Sequence, residues 1–239
     1  KTIRLWGVLA RFWLKVEGIH RLRFRAGNCA FNTEKILMQY SDLAKNIIEI
    51  YQKHGRDWTQ LRGDFLHEKI WLDRFLGLLP MSAKVVDLGC GSGIPIAKYL
   101  IEQGCQLTGV DASTVMLDMA QQNFPEQIWI NADIRQFRAE QTFDGILAWD
   151  SFFHLNPEDQ RQMFAQFSMH AASGGVLMFT SGPSDGEAIG DMFGEPLYHA
   201  SLDAAEYRNL LARYGFKIIK MIAEDPECTG HTVWLAQKK

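Results

Sequence analysis

From Ala83 onward, short runs of β-branched or apolar residues alternate with amphipathic helical stretches. The runs predict strands at 84–88, 106–111, 127–131, 143–149, 175–180, 216–222 and 231–236, with helices between them. Such alternation is typical of repeated βαβ units around a parallel sheet that is buried on both faces. Residues 83–239 are therefore predicted to form one α/β domain with a doubly wound, mostly parallel, seven-stranded sheet.

Residues between the predicted strands supply helix boundaries. Ser113 can cap a helix, because its hydroxyl can accept a hydrogen bond from a backbone N–H of the first turn. Pro157, followed by Glu158 and Asp159, is predicted to open another helix. The run Ser173-Gly174-Gly175 is predicted to end that helix.

The chain before Ala83 is predicted to consist of two segments. Residues 33–82 are predicted to form a helical cover, with helical spacing of apolar residues from Thr33 to Lys53 and from about Asp64 to Leu79, where Pro80 stops the pattern. Residues 1–32 are basic, aromatic and fit neither a helix nor a strand. They are interpreted as an ill-ordered extension, with a targeting-like or membrane-surface segment as the alternative.

Charge is unevenly distributed along the 239 residues. Up to Leu37 there are eight Lys and Arg residues against two acids, whereas the remainder has 17 against 26. An acidic body gains nothing from counterion release on nucleic acid, so a small-molecule partner is favoured over DNA or RNA. The four cysteines form no Cys-x-x-Cys pair, which favours a reducing compartment and hence the cytoplasm. No apolar run approaches the roughly 18 residues that would predict a membrane span, and no histidine spacing predicts a metal site.

A glycine-rich turn follows the first predicted strand, in Val85-Val86-Asp87-Leu88-Gly89-Cys90-Gly91-Ser92-Gly93. Glycines let the backbone turn sharply and let a ligand lie against main-chain N–H groups. The second strand ends at Asp111, about 20 residues beyond Gly89, where a carboxylate can accept hydrogen bonds from ribose hydroxyls. Asp133 follows the third strand at the same edge of the sheet and is suited to the amine of adenine.

A nicotinamide or flavin enzyme would also join a glycine-rich turn to a later acid. Its Gly-x-Gly-x-x-Gly pattern, counted from Gly89 and Gly91, would place the third glycine at Ile94. Here the pattern ends instead at Gly93. An NAD-dependent oxidoreductase is therefore the weaker reading.

Residues 84–239 resemble the class I S-adenosylmethionine (SAM)-dependent methyltransferase family, in the Asp-Leu-Gly-Cys-Gly-Ser-Gly form of its small-molecule members. Asp111, Asp133, the fourth strand from Phe143 to Asp150, the helix end Tyr214-Gly215-Phe216 and the closing strand from His231 to Ala236 also fit the family. The resemblance implies a Rossmann-like fold with an antiparallel last strand. It implies SAM as cofactor and S-adenosylhomocysteine as its product.

The resemblance also implies roles for single residues. Asp87, Gly89, Cys90 and Gly91 would surround the methionine moiety, and Trp149 would face the methyl group. Tyr51 and Arg62 would belong to a lid, with Arg62 paired to the methionine carboxylate. Asp111 would take the ribose, and Asp133 with Ile134 would hold the adenine. Further candidate cofactor-binding residues are Ala112, Ser113 and Met116.

On the acceptor side, Asp150 and His154 are the candidate catalytic residues, because they follow the fourth strand where this family often contacts the acceptor. The alternative is that His154 only packs the loop. The Asn/Asp-Pro-Pro-aromatic motif of amine-methylating nucleic-acid enzymes is replaced by Ala148-Trp149-Asp150-Ser151, which again favours a small acceptor. Residues 181–207 are predicted to be a long loop and a candidate acceptor wall. A SAM-binding module that regulates a partner without catalysis stays open, as do the acceptor and the oligomeric state.

Overall fold

The computed structural model describes residues 42–239. The predicted extension 1–32 and the first part of the predicted helical cover, residues 33–41, lie outside that range. The helices are α1 (Ile47–Arg62), α2 (Lys69–Leu76), α3 (Ile96–Glu102), α4 (Thr114–Asn123), α5 (Pro157–His170) and α6 (Ala204–Arg213). The strands are β1 (Lys84–Leu88), β2 (Gln106–Asp111), β3 (Ile128–Asn131), β4 (Phe143–Ala148), β5 (Ala171–Ser181), β6 (Gly186–Met192), β7 (Glu195–Ser201), β8 (Phe216–Asp225) and β9 (His231–Lys238).

One seven-stranded sheet has the order β3-β2-β1-β4-β5-β9-β8. Strand β9 runs antiparallel to both of its neighbours, and the remaining pairs in this sheet are parallel. The chain therefore winds outward in both directions from β1 and β4. Each predicted strand is present to within a few residues, so the doubly wound sheet and its antiparallel last strand are confirmed.

Helices cover both faces of the sheet. On one face, Phe164 and Phe167 of α5 and Tyr207 of α6 pack with Phe179 and Trp234 of the sheet in one buried apolar cluster. A second cluster on the other face is built on α2 and α3, with Trp71, Phe75 and Leu100 fully buried against the strands. Burial on both faces explains why the central strands read as continuous apolar runs. Within residues 42–239, no helix is long and apolar enough to cross a membrane.

Two predicted helix starts are confirmed. The Ser113 hydroxyl accepts a hydrogen bond from the Met116 N–H at the start of α4. Helix α5 begins at Pro157, with the Asn156 side chain accepting from the Asp159 N–H. Pro157 predicts the start of α5, and Asn156 is an additional capping residue that the structure shows.

Helix α1 continues beyond the predicted end at Lys53, as far as Arg62. Gly55 interrupts the apolar pattern there, which made the sequence read as a helix end. In the structure Gly55 lies inside α1, at the point where α4 passes close by. A Cβ at this position would lie 3.3 Å from Met116 Sδ, so the missing side chain permits the approach of the two helices.

The prediction that Ser173-Gly174-Gly175 ends a helix is wrong. Helix α5 ends at His170, and these residues lie within β5. Pairing with β4 moves from Phe143↔Ala171 to Gly145↔Val176, so the extra residues of β5 form a bulge. Gly174 adopts φ +74° there, a conformation in which glycine carries no steric penalty.

The prediction of a long loop over residues 181–207 is also wrong. Strands β6 and β7 pair as a hairpin from Gly186↔Ser201 to Met192↔Glu195, and α6 follows. Phe193 and Gly194 form its two-residue turn, both with positive φ, as the twist of such hairpins requires. Phe193 stands where Asn or Asp is usual, so the sequence carried no hairpin signal. The inner face of the hairpin packs on Ile47 and Ile50 of α1.

Candidate active site

A cleft of about 1300 Å³, open mouth included, lies at the carboxyl ends of β1, β2 and β4. Helix α1 covers it. Every residue predicted for the site lines this one cleft, namely Tyr51, Arg62, Asp87, Gly89, Cys90, Gly91, Asp111, Ala112, Ser113, Met116, Asp133, Ile134, Trp149, Asp150 and His154. The parallel strands bring these residues together because their carboxyl ends share one edge of the sheet.

The glycine-rich turn is fitted closely against the segment after β4. Gly89 has φ +84°, and a Cβ there would lie 2.3 Å from Ser151 Cβ. The Ser151 hydroxyl donates to the Leu88 carbonyl at 2.5 Å and so holds the two segments together. Because no side chain fits at Gly89, the backbone of the turn itself forms the floor of the cleft.

Asp111 joins the turn after β1 to the turn after β2. Its Oδ2 accepts from the Gly91 N–H and its Oδ1 from the Ser113 N–H, each at 2.9 Å. Burial raises the pKa of Asp111, and these backbone hydrogen bonds partly oppose the rise. Each carboxylate oxygen can accept more than one hydrogen bond, so Asp111 can still accept from a ligand in the cleft.

Asp133 is held by a charged neighbour that sequence reasoning did not identify. Arg135 donates to both Asp133 oxygens and also, at 2.7 Å, to Asp159 at the start of α5. Burial alone would raise the pKa of Asp133, but the bonds from Arg135 outweigh it and the pKa is lowered. Asp133 is therefore a fixed anion at this end of the cleft.

Asp87 differs from the other acids of the cleft. Asp87 is 3% exposed, and burial, followed by the nearby Asp111 charge, raises its pKa to about 7. Near neutral pH Asp87 is thus divided between its two protonation states. A cation placed beside it would favour the ionised form.

His154 forms a hydrogen-bonded chain with Tyr51. Its Nδ1 lies 2.7 Å from the Tyr198 carbonyl oxygen, which can only accept, so Nδ1 carries the hydrogen. Its Nε2 therefore has a lone pair, which accepts from the Tyr51 hydroxyl at 3.0 Å. Burial lowers the pKa of His154 to about 4, so the imidazole is neutral at pH 7. The hairpin predicted as an acceptor wall contributes none of the residues that line the cleft, and instead fixes His154 from behind through Tyr198.

Asp150 forms a partly buried ion pair with His231, the first residue of β9. His231 Nε2 lies 3.1 Å from Asp150 Oδ1, and its Nδ1 lies 2.8 Å from the Cys228 carbonyl. Burial would lower the pKa of His231, but Asp150 outweighs it and the pKa rises to about 9. Conversely, burial would raise the pKa of Asp150, but His231 lowers it overall. Asp150 is therefore an ionised carboxylate paired with a cation. A histidine at the start of a strand gives no sequence signal for this pairing.

A second ion pair joins Arg62 to Glu68, which sequence reasoning also missed. Arg62 Nη2 lies 2.5 Å from Glu68 Oε1, and Glu68 is fully buried. Within residues 42–239, Glu68 Oε2 and Trp149 Nε1 are among the few buried polar atoms without a hydrogen-bond partner. Both residues line the cleft. One acceptor and one donor are thus available to a ligand that carries polar groups of both kinds.

Over the same residues, no group of three or more His, Cys, Asp and Glu side chains is arranged to hold a metal ion. The fit of the cleft is instead to an organic cation. Six carboxyl groups line it, together with the aromatic rings of Tyr51, Trp58 and Trp149; the carboxyl groups belong to Glu68, Asp87, Asp111, Asp133, Asp150 and Asp159.

Residues 85–175 match a family model described as a methyltransferase domain. Among curated proteins, the chain is 37% identical over 100 residues to trans-aconitate 2-methyltransferase of Enterobacter sp. (strain 638), covering 41% of this chain and 36% of that protein. It thus spans about a third of the length of that relative. An O-methyltransferase of Penicillium expansum is 24% identical over 204 residues, 72% of each chain.

Among solved structures, the fold resembles the 1,6-didemethyltoxoflavin-N1-methyltransferase of Burkholderia thailandensis, whose crystal structure contains its substrate and S-adenosylhomocysteine. The TM-score is 0.61 at 21% identity, over 90% of this chain and 93% of that one. At this identity the likeness concerns the fold.

Proposed function

We propose that this chain, which belongs to the class I SAM-dependent methyltransferase family, transfers a methyl group from SAM to a small-molecule acceptor by in-line displacement. The observation that carries the proposal is the cleft itself. It brings a glycine-rich turn, acids from adjacent strand ends and a Tyr51–His154 pair to one edge of the sheet. The Enterobacter relative is named for methylating trans-aconitate, and the solved Burkholderia thailandensis structure contains 1,6-didemethyltoxoflavin.

In this proposal each acidic side chain contacts a different part of the cofactor. Asp111 accepts from the ribose hydroxyls, and Asp133 accepts from the adenine amine beside Ile134. Asp87 and the turn Gly89–Gly91 lie against the methionine moiety, where Asp87 would neutralise the ammonium group. Arg62 would bind the methionine carboxylate and keep its hydrogen bond to Glu68. A guanidinium has five N–H donors, so it can serve both groups.

When bound, SAM supplies an electrophilic methyl group on a sulfonium. The chain's own contribution is to align the acceptor, exclude water and take up the acceptor's proton. We propose that the acceptor's proton moves to Tyr51 Oη as the hydroxyl proton of Tyr51 moves to His154 Nε2. Burial and the charges of Asp150 and Asp111 raise the pKa of Tyr51, so a lasting tyrosinate is unfavourable and a relay is preferred.

Charge balance supports the relay. His154 gains a positive charge in this relay, which would replace the one that bound SAM supplies, and the Asp150 carboxylate lies close enough to favour it. The net charge of the buried site is therefore unchanged by the reaction. A reaction that creates no net charge avoids the large cost of burying one.

The proposal is tested by incubating the full chain with SAM and metabolite pools. Calorimetry measures SAM binding, and mass spectrometry measures S-adenosylhomocysteine formed per enzyme. Binding with turnover is the expected result. SAM binding without any turnover would favour the regulatory module, and binding of NAD but not SAM would establish the oxidoreductase.

Replacing Asp111 by Ala should weaken SAM binding by about 1.5 to 3 kcal/mol, roughly 10- to 150-fold, which is the usual loss for hydrogen bonds to a charged group. Calorimetry measures the change. Asp118→Ala, on the part of α4 outside the cleft, serves as the matched control and should bind SAM as wild type does. Unchanged affinity in Asp111→Ala would remove this residue from the cofactor site.

SAM affinity should rise with pH up to about pH 7, because Asp87 must lose its proton to pair with the ammonium group. Below its pKa of about 7, each unit of falling pH should weaken binding by up to about tenfold, with close to one proton released per SAM bound. Calorimetry in buffers of different ionisation enthalpy counts that proton between about pH 5.5 and 7, where an α-amino group stays protonated. Asp87→Asn should bind more weakly and release no proton, and proton release that persists in this variant would contradict the assignment.

A further inference from the structure

The charges around the cleft limit what can enter beside the cofactor. Two arginines line it, and each is already held by carboxylates: Arg62 by Glu68, and Arg135 by Asp133 and Asp159. The Asp150 carboxylate lies at the end of β4, close to His154 and Tyr51, and its own partner is His231. Among the residues that the structure describes, the cations at the cleft are thus matched by anions.

The wall nearest Tyr51 is apolar. Ala44, Ile47 and Ile48 lie one turn or two before Tyr51 along the chain and line the cleft with it, and Leu155 lines it beside His154. Ile48 is 37% exposed, so the wall reaches the surface. A ligand body placed here would be transferred from water to hydrocarbon contacts.

The polar groups on this wall cannot neutralise an anion. His154 is pinned in one tautomer by Tyr198 and is neutral, because burial lowers its pKa to about 4. Tyr51 offers a single hydroxyl, which already donates to His154. A carboxylate here would be desolvated with no cationic side chain beside it and would face Asp150, and both effects are unfavourable.

We propose that the acceptor is an uncharged molecule with an apolar body, presenting one hydroxyl or N–H group to Tyr51, and that carboxylate-rich compounds are excluded. This inference rests on the proposed function, since it concerns the acceptor side of the same cleft. The proposed acceptor differs from trans-aconitate, for which relatives of this chain are named, because trans-aconitate has three carboxyl groups.

A matched pair of fluorescent probes tests it. N-phenyl-1-naphthylamine is uncharged, and 8-anilinonaphthalene-1-sulfonate has the same body with one added anion. Fluorescence titration of the full chain saturated with S-adenosylhomocysteine gives both dissociation constants. The neutral probe should bind at least tenfold more tightly.

The Ile48→Arg variant tests whether the probes bind at this wall. A guanidinium at the mouth of the cleft should weaken the neutral probe and strengthen the sulfonate, and so reduce the preference by about tenfold or more. Ile219→Arg is the control, because Ile219 is similarly exposed at 43% but lies on β8 away from this cleft. Its preference should equal that of the wild type.

Three results would overturn the inference. They are tighter binding of the sulfonate, failure of the neutral probe to bind, or methylation of trans-aconitate at a higher kcat/KM than of methyl 4-hydroxybenzoate. Each leaves SAM binding intact and so refutes only the choice of acceptor. Failure to bind SAM or S-adenosylhomocysteine at all would instead refute the proposed function.

Discussion

His154→Ala lowers the turnover number by about 100-fold or more and leaves SAM affinity unchanged, if the acceptor must lose a proton during transfer. This is the usual size of a general-base contribution. The neutral Nε2 of His154 is the end of the proton path, and removing it leaves the Tyr51 proton with no acceptor. Tyr51→Phe should lower turnover by a similar factor, because it breaks the same path one step earlier.

The paired measurement is SAM binding by calorimetry and turnover against pH, with an acceptor found as above. The double variant should be little worse than either single one, because the two residues act as one unit. Tyr99→Phe is the control, since it removes a hydroxyl from α3 outside the cleft. Because His154 has a pKa of about 4, it should cause no loss of activity between about pH 5 and 8.

Two other outcomes have distinct meanings. An acceptor that is already ionised needs no base, and His154→Ala would then mainly raise the acceptor KM, which would also contradict the uncharged acceptor. Wild-type turnover and KM in both variants would mean that His154 only packs the loop against the hairpin. The alternative left open by the sequence would then be correct.

The strands, and the grouping of the predicted residues at one edge of the sheet, could be predicted because each strand and the residue after it are close together in sequence. Apolar runs specify buried strands, and in parallel strands the residue after each run lies at one common edge. Gly89, Asp111 and Asp133 thus meet in space although they are far apart along the chain. The turn at Gly89 required no knowledge of side-chain contacts.

The parts that could not be predicted depend on pairing between distant segments. Glu68 lies within the helix predicted from about Asp64 to Leu79 and carries no sequence signal for burial, yet it is fully buried and paired with Arg62. His231 is predicted only as the start of a strand. It pairs with Asp150 because β9 lies beside β5, close to the end of β4. The hairpin escaped detection because Phe193-Gly194 is an unusual pair for its turn.

Arg62→Met should lower the free energy of unfolding by about 3 kcal/mol or more at pH 8, because it leaves the buried Glu68 carboxylate without its cation. Arg62 and Glu68 are 8% and 0% exposed in their side chains, so water cannot replace the lost partner. Urea unfolding of the ligand-free chain measures the change. Lys69→Met is the control: it removes an exposed ion pair with Asp73 and should change stability little.

The pH dependence and a double variant identify the cause. Burial raises the pKa of Glu68 above its ordinary 4.5, and loss of Arg62 removes the group that most opposes the rise. The destabilisation of Arg62→Met should therefore be small near pH 5, where Glu68 can take up a proton, and should grow by up to about 1.4 kcal/mol per pH unit above it. Arg62→Met/Glu68→Gln should recover most of the loss at pH 8, because a neutral amide costs far less to bury than an unpaired charge. If Arg62→Met were as stable as wild type at pH 8, or if the double variant were no more stable than the single one, Glu68 would not depend on this partner, and its burial would need another explanation.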